Sequence, residues 1–208
     1  NHDGGWQTQY CHLRQGSILV KRGEAVAAGA ILGAVGMSGW AEFPHVHLAV
    51  RHAGTELDPF TGLAAGTACG QVGTALWRRD LNLKYEPAAL FNAGFSAGPP
   101  DIERIRAGQP GTAPVTIDSP ALVLWVEILG VAREDLVQFS INGPDGTALL
   151  TREQQIERTQ ARRYIFMGKR RTGPTWPAGE YHGQVSLTRG GQDGDSWQHS
   201  IERVITLR

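Results

Sequence analysis

The sequence is short of several things, and each shortage excludes something. It carries 2 cysteines in 208 residues, too few for a disulfide-stapled framework. A single Cys11–Cys69 bridge and two free thiols are both compatible with that number. It has no surplus charge, with 20 Lys and Arg balancing 20 Asp and Glu, and no basic block stands out. This argues against nucleic acid as a partner, because phosphate binding needs a clustered basic surface. The most apolar run, "AVAAGAILGAVG", is too short and too glycine-rich to cross a bilayer, which takes about 20 residues. No transmembrane segment is therefore expected in the chain. No charged-then-apolar leader opens it, so an export signal is expected to have been removed or to lie outside it. Helical periodicity is missing as well from the first 60 residues.

What is present points to strands and turns. The 27 glycines and 11 prolines punctuate short extended runs, and 41% apolar residues are enough for a globular core. The fold class expected is all-β. In "WQTQYCHL" Trp6, Thr8, Tyr10 and His12 share one strand face. "SILVKRGEAVAAGAILGAVG" reads as strand, turn and strand. "HVHLAVRHAGTELDPF" reads as a strand and a turn at Ala53–Gly54. The opening "NHDGG" reads as a hairpin turn of which only the second strand follows, so the chain is expected to start inside a domain. Alternation fades after residue 61. Residues 83–110, rich in Gly and Pro, read as a linker or wrapping connection, with one or two helical turns in "IERIRAG". From 111 to 208 about seven short strands are expected, among them "PALVLWVEIL", "RRYIFMG" and "SIERVITLR", and these predict an immunoglobulin-like β-sandwich. The Cys–Trp–Cys hallmark of antibody domains is absent, so only the architecture follows. The division expected is 1–82, 83–110 and 111–208.

The residues most suited to chemistry are histidines. "FPHVHLAV" spaces His45 and His47 two apart, which on a strand puts both on one face with Cα atoms about 6.6 Å apart. Such a pair serves either a metal site or a sheet edge. "QYCHL" adds His12. In order, "YCHL", "VKRGEAVAAG", "LGAVGMSG", "PHVH" and "VRHAGTELDPF" resemble the lysostaphin/LytM-type zinc endopeptidases of peptidoglycan. The family's pattern runs Tyr-x-His-Leu, a Val- and Gly-spaced hairpin, Gly-x-x-Gly-x-Thr/Ser-Gly, then Pro-His-x-His. The resemblance covers residues 1–60 and predicts an antiparallel LytM-like sheet, N-terminally incomplete, ahead of the sandwich.

The resemblance implies that His47 is a zinc ligand, and that His12 and His45 orient or deprotonate the attacking water and stabilise the oxyanion. Zinc lowers the pKa of bound water to about 7 and polarises the scissile carbonyl. It further implies a bacterial periplasmic or extracellular protein with a peptidoglycan peptide as substrate. One departure is mild, Leu48 and Ala49 standing where the family often has Phe-Glu; a second, "WAEF" (40–43) in place of a small polar loop, is expected to reshape the groove wall. A third is larger. The family's other two ligands, a His and an Asp, would fall upstream of Asn1. The chain is therefore expected to be either the C-terminal portion of a longer enzyme or a metal-free module that binds or activates other wall hydrolases. His2, by the opening turn, matches a family position that is not a ligand; His52 reads as solvated, His182 and His199 as lying on polar strand faces, Trp125 as core, and "KRRTGPTWP" as a solvated loop. Trp6 and Trp40 are candidates for either packing or a groove wall.

Overall fold

Nearly every regular element is an antiparallel strand. The computed structural model describes residues 1–208 apart from 42, 65, 68–70, 72 and 191–195. Cys69 falls outside the described residues, and the Cys11–Cys69 pairing with it. No helix among the described residues is long and apolar enough to cross a membrane. The chain divides into two units, residues 1–85 and 86–208.

In the first unit β1 (Trp6–Cys11) pairs with β2 (His47–His52), and β2 pairs with β3 (Thr55–Leu57). The "DGG" segment forms a single 3-10 turn, closed by the His2 N–H donating to the Trp6 carbonyl at 2.8 Å. Between β2 and β3, Ala53 and Gly54 both have positive φ, 48° and 82°, as a two-residue I′ hairpin turn requires. The hairpin expected over 17–36 does not form a continuous ladder. Isolated bonds trace it instead, from Arg14 N–H to Ala34 O at 2.9 Å and Leu19 N–H to Leu32 O at 3.0 Å. The physical reason is burial: Ile18, Leu19 and Ile31 are 64–73% exposed, so no packed face holds the two arms in register. Farther on, Phe60 packs edge-on against Trp77 and Tyr85.

The second unit, in its described residues, is a seven-strand, two-sheet sandwich. Its strands are β4 (Ala89–Ser96), β5 (Ala121–Val131), β6 (Leu136–Asn142), β7 (Ala148–Gln155), β8 (Gln160–Arg170), β9 (Gly179–Gly190) and β10 (Ser196–Leu207). One sheet has the order β4-β5-β8 and the other β10-β9-β6-β7. The segment 83–110, expected as a connection, supplies both β4 and a short helix, α1 (Ile102–Arg106). A bulge between Leu90 and Asn92 breaks the alternation of β4, which hides it from a period-two reading. Asp101 caps α1, its carboxylate accepting the N–H groups of Glu103 and Arg104.

The core lies between the sheets. Leu122, Leu124, Val126 and Ile128 of β5 belong to one buried cluster with Val137, Phe139 and Ile141 of β6 and Val185 and Leu187 of β9, each at most 1% exposed. Tyr181 is fully buried near the start of β9, and its hydroxyl donates to the Pro177 carbonyl at 2.8 Å. This is the tyrosine corner of immunoglobulin-like sandwiches. On the opposite face of β5, Trp125 is buried as expected, because Gly94 across the ladder leaves room for its indole; a Cβ there would lie 2.8 Å from the ring. Glu127 is 2% exposed and is held by Arg162, with oxygen–nitrogen distances of 2.6 and 2.8 Å, and by Arg106 at 2.7 Å. Burial pushes its carboxyl pKa up, but the two guanidinium groups outweigh that and hold it below the ordinary glutamate value.

Candidate functional site

The sheet of the first unit ends where the histidines gather. β1 stops at Cys11, which pairs with His47 at the start of β2. His12 follows with φ of +61°, a left-handed conformation that a side chain larger than glycine adopts at a cost. That conformation turns the chain out of the ladder, and Leu13 then pairs with Val35. Next to it, Gly36 pairs with His45, whose N–H donates to the Gly36 carbonyl at 3.2 Å. Gly36 lies so close to Arg14 that a Cβ would sit 2.3 Å from the Arg14 nitrogen. Only glycine lets segment 33–37 run between the turn after His12 and the approach to His45.

Two imidazoles are anchored the same way. Nδ1 of His12 lies 2.8 Å from the Ser38 carbonyl oxygen, and Nδ1 of His45 lies 2.8 Å from that of Phe43. A carbonyl only accepts, so each ring donates from Nδ1 and keeps Nε2 for other chemistry. Ser38 is itself fixed, its hydroxyl donating to the Leu13 carbonyl at 2.6 Å. The ring centroids of His12 and His45 are 4.8 Å apart, and those of His12 and His47 are 5.9 Å apart. His12 and His45 are half-buried and His47 is exposed. All three residues singled out in the sequence are thus brought together. His45 precedes β2 and sits in an isolated bridge, so the pair does not share one regular strand.

The other histidines lie apart. His52 stacks on Trp6 with centroids 4.4 Å apart and its Nε2 lies 3.1 Å from the Gly4 carbonyl, at the far end of the β1–β2 ladder. Nε2 of His2 lies 2.9 Å from the Thr8 hydroxyl. Trp6 therefore packs, whereas Trp40, 97% exposed, is left free in the loop before His45.

A catalytic zinc site takes three protein ligands and an open position. Among the described residues no group of three or more His, Cys, Asp and Glu side chains is placed to hold a metal ion. The described residues do not by themselves fit such a centre. What the arrangement does offer is a pair of neighbouring imidazoles with fixed tautomers, able to take up, hold and release a proton at Nε2.

Gly36 and Ser38 are the positioning residues that reasoning on histidines overlooks. Their signal lies in "GAVGMSG", a run of small residues whose backbone has to pass close to another segment. The comparison with curated proteins returns no match, and neither does that with solved structures. Residues 1–59 match the family model described as Peptidase family M23, so this part of the chain is similar to a segment of that peptidase domain, the family to which the ordered motifs around His12, His45 and His47 point.

Proposed function

We propose that residues 1–59 form the C-terminal portion of a zinc metallo-endopeptidase domain that cleaves peptide cross-links of bacterial peptidoglycan in the periplasm or outside the cell. The observation that carries the proposal is the His12–His45 pair, each ring tied through Nδ1 to a backbone carbonyl and 4.8 Å from the other. In this reading Nε2 of one imidazole accepts the proton of the attacking water. The other, protonated, donates to the oxygen that gains negative charge in the tetrahedral intermediate. His47 is assigned as a metal ligand, and its companions must come from outside the described residues.

A specific observation favours a second reading. With no three-donor group among the described residues, a module that binds or activates other wall hydrolases would need no metal and would use the same surface for contact.

One experiment separates them. The protein is assayed with cross-linked muropeptides, with zinc and after chelation, alongside His45→Ala. The first reading expects cleavage that depends on zinc and falls by about 100-fold or more in the variant, the scale of a lost general acid or base. Cleavage that survives both chelation and the substitution overturns it. No cleavage by zinc-loaded protein that still stimulates a second hydrolase favours the metal-free module.

A further inference from the structure

A cavity of about 480 Å³ opens in the second unit between β4 and the segment 97–115. Its size falls within the roughly 300–1,000 Å³ range of small-molecule pockets. Strands β4, β5 and β10 supply one side through Asn92, Phe95, Trp125 and Ile205, and the chain leading into and out of α1 supplies the other, from Pro100 through Ile105 to Val115. That second wall is held by the protein itself. The Asp101 N–H donates to the Gly111 carbonyl at 3.0 Å, closing the segment across α1, and Arg106 ties α1 to Glu127 of β5. Pro100, Pro110 and Pro114 stiffen it further. The space is therefore pre-formed, which lowers the ordering cost of binding.

The lining sets the chemistry of an occupant. No Lys, Arg, His, Asp or Glu of the described residues lines the cavity, so a charged ligand would shed its water with no counter-charge to receive it. Phe95, Ile105, Val115, Trp125 and Ile205 make much of the lining apolar. The polar groups held in a fixed direction are donors. Trp125 is 7% exposed, and its indole N–H makes no hydrogen bond to any described residue. The nitrogen-bearing edge of that ring lies over Gly94, where a Cβ would sit 3.1 Å from Nε1. Asn92 and Ser96, two residues to either side of Gly94 on the same face of β4, both line the cavity. The Asn92 Oδ1 accepts the Ala93 N–H at 2.9 Å, which fixes the amide and leaves Nδ2 as a donor without a partner among the described residues. Ser96 and Thr112 have spent their hydroxyl protons on the Gly98 and Ala113 carbonyls. An apolar, charge-free space with two waiting donors is the complement of a neutral ring that carries an acceptor oxygen.

We propose that this cavity binds an uncharged, ring-bearing small molecule, its apolar body against Phe95, Ile105 and Ile205 and a carbonyl-type oxygen at the Trp125 and Asn92 donors. The proposal stands on residues 86–208 alone and does not depend on the peptidase reading; its test reads binding, not cleavage. The whole chain is titrated with coumarin, a neutral fused ring with one carbonyl, and with cinnamate, an anion of similar size and outline. Binding is followed by NMR of the backbone amides and indole N–H groups. Coumarin is expected to bind with Kd of about 1 mM or tighter. Its shifts should be confined to β4, β5, the 97–115 segment and the end of β10, and should include the Trp125 indole N–H. Cinnamate should bind at least about tenfold more weakly. Ala113→Trp puts a ring into the cavity from an exposed lining position and should abolish binding with the core resonances of the sandwich unmoved. Asn92→Ala removes one donor and should weaken coumarin by about fivefold. The proposal is overturned if coumarin shifts no resonance at about 10 mM. It is equally overturned if the shifts map elsewhere, if cinnamate binds as tightly, or if both variants bind as the parent does.

Discussion

The two units solve the problem of holding a chain together in opposite ways. Residues 86–208 bury an inter-sheet cluster running from Ala88 to Leu207, and their buried carboxylates, Glu127 and Asp135, are paired with arginines. Among the described residues of 1–85, the only buried apolar ones are Ala49 and Val50, while Ile18, Leu19, Val26, Ile31 and Trp40 stand at least half exposed. Hydrophobic burial contributes about 25 cal/mol per Å² of apolar surface, so the sandwich has a driving force that the described part of the first unit does not. Position in the first unit is set instead by backbone bonds, by the close pass at Gly36 and by aromatic pairs. The candidate site sits in the weakly packed unit, where a local contact decides the arrangement of three imidazoles.

Substitutions that sharpen this contrast are ordered by expected effect. Phe139→Ala removes a ring at the centre of the sandwich and should destabilise it by about 3–5 kcal/mol, measured by urea unfolding. Trp40→Ala in the first unit should change stability by no more than about 0.5 kcal/mol despite its size. Equal losses at the two sites would break the comparison.

Glu127→Ala is expected to cost the sandwich about 3 kcal/mol or more, because it strands Arg162 in a buried site. The pH dependence follows from the lowered native pKa of Glu127. Its stabilising contribution is present above the unfolded-state value of about 4.3 and is lost as the pH falls through the lower native value. An acid titration of Glu127→Gln should lack that step, and an unchanged acid profile would count against the ion-pair account.

Gly36→Ala forces a methyl into the Arg14 backbone, and the first unit has little packing to absorb it. A loss of about 1–3 kcal/mol is expected from strain of this kind. It should appear as shifted ring resonances of His12 and His45 in NMR, with the sandwich signals unmoved. Smallest of the set, Tyr181→Phe removes the hydroxyl donor to Pro177 and should cost about 1 kcal/mol, read from the thermal midpoint.

Much of this could be read from the chain because it is local. The all-β class followed from short alternating runs between glycine and proline turns, the Ala53–Gly54 turn from its dipeptide, and the cluster of His12, His45 and His47 from ordered motifs. Where reading along the chain fell short, a neighbour distant in sequence had intervened. β4 reads as a connection along the sequence because its bulge disrupts the period of two. The arms of 17–36 looked like strands because alternation reports amphipathicity and not whether a partner face exists. Gly36 and Ser38 stand in the Gly-x-x-Gly-x-Ser-Gly run, but which segments they hold together is set by the close pass at Arg14 and the bond to the Leu13 carbonyl, and neither can be read from spacing.

By itself, then, the sequence determined that this is a strand-and-turn protein with three motif-borne histidines and a sandwich-forming second half. Side-chain period, turn residues and spacing are properties of the chain one stretch at a time. Only the tertiary structure decided that Nδ1 of His12 and of His45 each faces a backbone carbonyl, and that Glu127 is buried between two arginines. Each of these depends on which strands lie side by side, and strand order is set by packing between segments far apart in the sequence.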